Sequence, residues 1–151
     1  MRTLILAEGE LSPSCSKTHI SYCFNIKKEI SKLDISFSYE PKILEDLKKS
    51  KKLIIEGIYN FVECDQQKTI SQWESFLPVQ NLLTISVDDS EKFRGCVHRQ
   101  SSEQHLFITS KSASPGLILG DISLGIWRVT ISVHAVVTDI CKYNLHILEV
   151  E

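Results

Sequence analysis

Thr109-Ser-Lys-Ser-Ala-Ser-Pro-Gly-Leu-Ile-Leu-Gly-Asp-Ile-Ser-Leu-Gly-Ile-Trp-Arg-Val-Thr-Ile-Ser-Val-His-Ala135 opens on turn chemistry and closes on the longest β-like run in the chain. Pro115 fixes φ and Gly116 tolerates positive φ, a combination suited to a tight reversal. Gly120 and Gly125 mark two further places where the backbone must turn or pass close to another segment. Beyond them Trp127, Val129, Ile131, Val133 and Ala135 form one apolar face, while Arg128, Thr130, Ser132 and His134 stand opposite. Alternation with period two predicts a strand with one face buried.

The same signal recurs on either side. Residues 2–11 read as a first strand, ended by a polar turn at Ser12-Pro13-Ser14. Residues 18–26 place Ile20, Tyr22, Phe24 and Ile26 on one face, and residues 33–39 do so with Leu33, Ile35, Phe37 and Tyr39. Strand character returns at 81–88, 93–98, 105–109 and 142–150, with turn residues between. Between the third and fourth strands the period changes. Pro41 suits a first helical turn, and Leu44, Leu47, Ile54, Ile58 and Phe61 recur at roughly helical spacing. This predicts a helical insertion over about 41–63, either one helix or two short ones joined near Ser50. Residues 64–80 read as a long connection tacked to the body by Trp73, Phe76 and Leu77. Short strands with turn signals and one helical insertion predict a mainly β chain: an antiparallel β-sandwich of jelly-roll or galactose-binding-like type, with residues 1–151 as a single domain.

Composition narrows the function. A chain of 151 residues with 42% hydrophobic and 24% charged residues can bury a core without staples. A net charge of −2 gives no electrostatic reason to expect nucleic acid. Lys42, Lys48, Lys49, Lys51 and Lys52 are interleaved with Glu45, Asp46 and Glu56, as on a solvated helix face. No segment has the length of a membrane span, and the apolar run after Met1 is too short for a signal-peptide core. Five cysteines, an odd number without a Cys-x-x-Cys pair, fit free thiols in a reducing cytoplasm.

Candidate chemistry is sparse. None of the five histidines forms His-x-His, His-x-x-His or His-Glu-x-x-His, the spacings that bring two ligands to a metal from one element. Cys96 and His98 share a strand face and could supply two ligands, or be a buried thiol near a surface imidazole. Asp88, Asp89 and Glu91 form an acidic turn with too few ligands for a dedicated calcium loop, and so read as solvent-exposed. Neither a nucleophile elbow nor a glycine-rich phosphate loop occurs. Arg94, between Phe93 and Gly95, could clamp a carboxylate ligand with its planar fork, or tie two loops together through backbone carbonyls. Trp127 could be a stacking platform for a sugar, though its place in an apolar alternation predicts core. No cofactor or metal is expected, and no constellation of nucleophile, base and orienting group can be assembled.

The order of motifs carries a resemblance. Phe93-Arg94-Gly95, a strand ending in Ile108-Thr109, Ser114-Pro115-Gly116, Gly120 and then Gly125-Ile126-Trp127 before a long strand is similar to the amino-terminal β-sandwich of CehA/McbA-type metallohydrolases. In that family the sandwich precedes a catalytic domain of the polymerase-and-histidinol-phosphatase (PHP) superfamily. The resemblance spans nearly the whole chain and makes Phe93, Gly95, Pro115, Gly116, Gly120, Gly125 and Trp127 structural motif residues. Cys96 departs from it, standing where the family tends to an aromatic residue, and Ser123-Leu124 replaces a proline-rich approach. The family's metal-binding His-x-His, at the start of its catalytic domain, has no counterpart before Glu151. The resemblance therefore implies a non-catalytic accessory domain, partnered by a PHP-type hydrolase or self-associating through 41–63. A small-ligand or carbohydrate-binding sandwich is the alternative.

Overall fold

A computed structural model describes all residues from Met1 to Glu151. Eight strands form: β1 (Arg2–Leu11), β2 (Thr18–Ile26), β3 (Lys32–Glu40), β4 (Leu82–Asp88), β5 (Phe93–Val97), β6 (Glu103–Thr109), β7 (Gly125–Ala135) and β8 (Cys141–Val150). They make two antiparallel four-stranded sheets, ordered β1-β8-β3-β6 and β2-β7-β4-β5. First pairs with last, second with seventh, third with sixth, and fourth with fifth. That nesting is one long hairpin rolled on itself, and the pairings β3–β8 and β4–β7 complete each sheet. The architecture is a jelly-roll β-sandwich.

Period-two patterning drives the roll together. In β3 Leu33, Ile35, Phe37 and Tyr39 are buried, and in β7 Trp127, Val129, Ile131 and Val133 face them from the other sheet. Ala135 is only half-buried, lying beyond a bulge where the β4–β7 register shifts between Leu82 and Leu83. These side chains belong to one cluster of 24 buried residues, so both sheets share a core. Each large side chain removed from water is worth about 1.5–3 kcal/mol, and this common apolar interior is the main stabilising term.

The insertion between β3 and β4 differs from its sequence reading. Pro41 does not open a helix: residues 41–45 stay outside helical structure, with Ile43 bridged to Gln80 and the Leu44 N–H donating to the Val79 carbonyl. Partner backbone at Val79–Gln80 competes for these residues and wins. Helix α1 is Leu47–Phe61, beginning where the Asp46 side chain accepts the Lys49 N–H. Ser50, Ile54 and Ile58, four apart, form its buried stripe. The connection after it holds a second helix, α2 (Gln66–Ser71), and a 3₁₀ turn over Trp73–Phe76. α1 packs chiefly on these two elements rather than on a sheet. Trp73 and Leu77 are half-buried as anchors, whereas Phe76 is exposed.

Asn81 ties the insertion to the sandwich. Its side-chain amide donates to the Pro41 carbonyl and the Thr138 hydroxyl, and its oxygen accepts the Val137 N–H at 2.7 Å. Lys42 donates to the Asn81 carbonyl and the Tyr39 hydroxyl, and burial lowers its ammonium below the usual lysine range. A fully buried asparagine is stable here because every polar atom has a partner.

Candidate functional site

The sequence motif residues converge on one end of the sandwich, around Arg94. The pairing of β4 with β5 slips between Val87 and Asp88, so Arg94 is an extra residue on β5 and its side chain turns inward. A guanidinium has five N–H groups, and here all are engaged. Nε and Nη2 donate to the Ile118 carbonyl, Nη2 also to the Gly120 carbonyl at 2.9 Å, and Nη1 to the Asp121 carbonyl and Asp89 Oδ2, both at 3.0 Å. The Trp127 ring lies 5.2 Å from the guanidinium carbon, and its own N–H donates to the Ser123 carbonyl. Arg94 thus gathers the whole 118–123 loop onto β5 and β7.

Asp89 completes the hub, and its buried side chain corrects the reading of it as solvent-exposed, whereas Glu91 in the same turn is exposed. The Asp89 side chain is 2% exposed and paired with an arginine that is wholly buried. Oδ1 accepts the N–H groups of Glu91 and Lys92, both at 2.7 Å. Desolvation alone would raise its pKa, but the two N–H donors and the Arg94 guanidinium together hold the carboxyl below its ordinary range.

The glycines mark where the loop passes closest. A Cβ on Gly95 would sit 2.2 Å from the Gly116 carbonyl oxygen, and one on Gly116 would sit 2.5 Å from that of Cys96. Gly116 has φ +94° and follows Pro115, and the Leu117 N–H donates to the Ser114 carbonyl, the pattern of a type II turn. Gly120 lies over the guanidinium, and Gly125 passes Ser90. Arg94 and Trp127 are therefore not open to a ligand: one has no free donor and both have no exposed surface.

What this frame displays is different. Phe93, Ile118, Leu119, Leu124 and Ile126 are each about half exposed around the hub, on β5, the loop and the start of β7. Beside them lies a hollow of about 450 Å³ edged by Glu29, Ser31, Ser110, Asp121 and Ser123, with Ile30, Ile122 and Leu124 as its apolar wall.

A second grouping lies on the outer face of the β2-β7-β4-β5 sheet. Cys96 Sγ is 3.0 Å from His98 Nε2, so the thiol is hydrogen-bonded and only partly buried. The His98 ring stands 6.4 Å from that of His134, inclined by 57°. His134 Nε2 is 2.8 Å from the Thr84 hydroxyl, on the strand between them. Sequence reasoning missed His134, whose only signal was its place on the polar face of β7.

The fold and its ordered loop end define a jelly-roll domain that presents surfaces from its loops and outer sheet faces. The chain belongs to a family of unknown function (DUF6669), which matches residues 4–150. No curated protein matches the sequence. Among solved structures, the crystal structure of GEBA250068378 from Sulfurospirillum deleyianum is similar at 8% identity over 95% of this chain and 98% of its own, with a TM-score of 0.32. No helix is long and apolar enough to cross a membrane.

Proposed function

We propose that the chain is a non-catalytic interaction module that docks a protein partner through the Arg94 loop end. The supporting observation is the contrast at that end: a wholly buried arginine fixes a loop by four hydrogen bonds to its carbonyls and a fifth to Asp89, and the loop and its flanks hold five large apolar side chains in water. Scattered apolar residues are ordinary on a surface, but several gathered on a rigid frame suit an interface. Fixing the loop beforehand removes the ordering entropy that binding would otherwise cost. The sequence resemblance supplies the partner class, a PHP-type hydrolase. Titration calorimetry between this chain and such a hydrolase from the same source tests the reading. Leu119→Asp and Ile126→Asp should weaken the complex at least tenfold with the melting temperature unchanged. A complex that neither variant weakens, or no complex at all, refutes it.

The hollow beside the tip favours a second reading. Its serines and its Asp121 and Glu29 carboxylates are the groups that hold a hydroxyl-rich small molecule. Saturable binding of a sugar, lost in Asp121→Ala, would support that reading over docking.

A further inference from the structure

We propose that the chain forms a two-fold dimer through the open edge of β2, each copy laying its β2 antiparallel to the other's and joining the two β2-β7-β4-β5 sheets into one. A sheet edge is a row of unpaired N–H and C=O groups, and proteins protect such rows with bulges, charges or covering loops. Three of the four edges here are protected. The loop after β6 covers two of them. Along β5, Leu117 bridges to Gly95 and the Ile118 N–H donates to the Arg94 carbonyl; along β6, Ala113 bridges to Ile108 and the Ser114 N–H donates to the Phe107 carbonyl. The third edge, β1, has a register shift between Thr3 and Ile5 and carries Arg2, Glu8 and Glu10. β2 has none of these devices. It pairs only with β7, without a shift, and Thr18–Ile26 holds no Asp, Glu, Lys, Arg or Pro.

The strand is complementary to itself, which makes a second copy the occupant. Ile20 and Tyr22 face the core yet are only half-buried, leaving apolar surface beside the open edge. His19, Ser21, Cys23 and Asn25 stand on the outer face, and all four are exposed. With Ser21 on the two-fold axis, Ile20 of each copy lies opposite the partner's Tyr22, a β-branched–aromatic pair formed twice, and His19 lies opposite the partner's Cys23. No like charges meet, since Lys17 falls opposite the partner's Asn25. Centring on Tyr22 would match all nine residues of the strand, but it sets Lys17 against the partner's Lys27 at both ends and is disfavoured. The contact is isologous and closes at two copies, with main-chain bonds supplying affinity as in strand addition. Arg94 lies on β5, the opposite edge of the same sheet, so this contact is distinct from docking at the loop end.

Sedimentation equilibrium reads the dimer directly, and Ser21 is the residue to change because it is exposed and sits on the axis. Ser21→Lys and Ser21→Glu each set like charges face to face, so each alone should raise the dissociation constant at least about tenfold. An equimolar mixture of the two should dimerise again, as opposite charges then meet. Asn144→Lys, on the outer face of the other sheet, should change nothing. Far-UV spectra matching wild type establish that each variant folds. Directly opposed residues hold their Cα atoms about 4.5–5.5 Å apart, within the span of a disulfide. Ser21→Cys combined with Cys23→Ser should therefore cross-link two chains on mild oxidation, well above the level in Cys23→Ser alone, and Asn25→Cys combined with Cys23→Ser should not. The proposal is overturned by a wild type that is monomeric at every concentration, by a dimer that Ser21→Lys leaves intact, by a mixture that stays monomeric, by cross-linking through position 25 in place of 21, or by a dimer that Leu119→Asp dissolves instead.

Discussion

Replacing Arg94 with methionine keeps most of the apolar stem while deleting the charge and all five donors. Three losses follow. The Asp89 carboxylate, 2% exposed, is left without its counter-ion, and removing one partner of a buried ion pair costs about 3–5 kcal/mol. The carbonyls of Ile118, Gly120 and Asp121 lose their donors, and each buried acceptor left unpaired adds about 1 kcal/mol, less where water enters from the rim. The guanidinium over Trp127 also disappears. The sum is about 4–8 kcal/mol, against a total stability of roughly 5–15 kcal/mol for a domain. At about 2–4 °C per kcal/mol for a chain of this size, the melting temperature should drop by roughly 8–32 °C. Urea unfolding of wild type, Arg94→Met, Asp89→Asn and the double variant supplies the assay. The double variant should lose less than the two singles combined, by about 0.5–3 kcal/mol, since neutralising Asp89 removes the orphaned charge. Arg94→Lys should rescue little, because an ammonium cannot span acceptors on four residues from one plane. A loss under about 1 kcal/mol in Arg94→Met, or strict additivity, would refute the account of Arg94 as the pin of this loop.

Other tests address single links of the same chain of reasoning. Asp89 titrates below its ordinary range in the folded state, so its stabilisation is present above about pH 4 and lost as pH falls through the folded value; Asp89→Asn should be less stable at neutral pH and lose less on acidification, by chemical denaturation at stepped pH. Glu149 is wholly buried with Arg2 Nε 2.6 Å from its carboxylate, too misaligned for a hydrogen bond. Since Arg2 is half in water, Arg2→Ala should cost about 1–3 kcal/mol, below the full buried-pair penalty, and Glu149→Met should recover most of it in that background. Gly57, inside α1, has open space where a Cβ would project, so Gly57→Ala should stabilise by about 0.5–1 kcal/mol in thermal melts.

The sheets were legible because one face of each strand is dry, so burial writes period two directly into the sequence. β3 and β7 show it residue by residue. Helix α1 was legible in existence but not in its start, because Pro41 is locally competent for a first turn and only the distant Val79–Gln80 backbone makes that segment extended. Local signals cannot weigh a partner nearly forty residues away, as the separation of Ile43 and Gln80 is.

The loop end shows the same limit in chemical form. Phe93-Arg94-Gly95 and Ser114-Pro115-Gly116 each announce a special backbone position, but whether Arg94 meets a ligand or its own chain depends on how those two segments cross. The crossing is set at Gly95 and Gly116, where a Cβ would meet backbone oxygen at 2.2 and 2.5 Å, so that no side chain is admitted. Once the loop lies that close, its carbonyls reach the guanidinium before any ligand can, and Asp89 folds in to balance the charge. The reverse holds for His134. A histidine on the polar face of a strand carries no local signal, and it comes to lie across Thr84 from His98 only through the antiparallel pairing of β4 and β7 and the bulge at His134. Chemistry that depends on register is therefore invisible in a single sequence, even where the strands that create the register are plain.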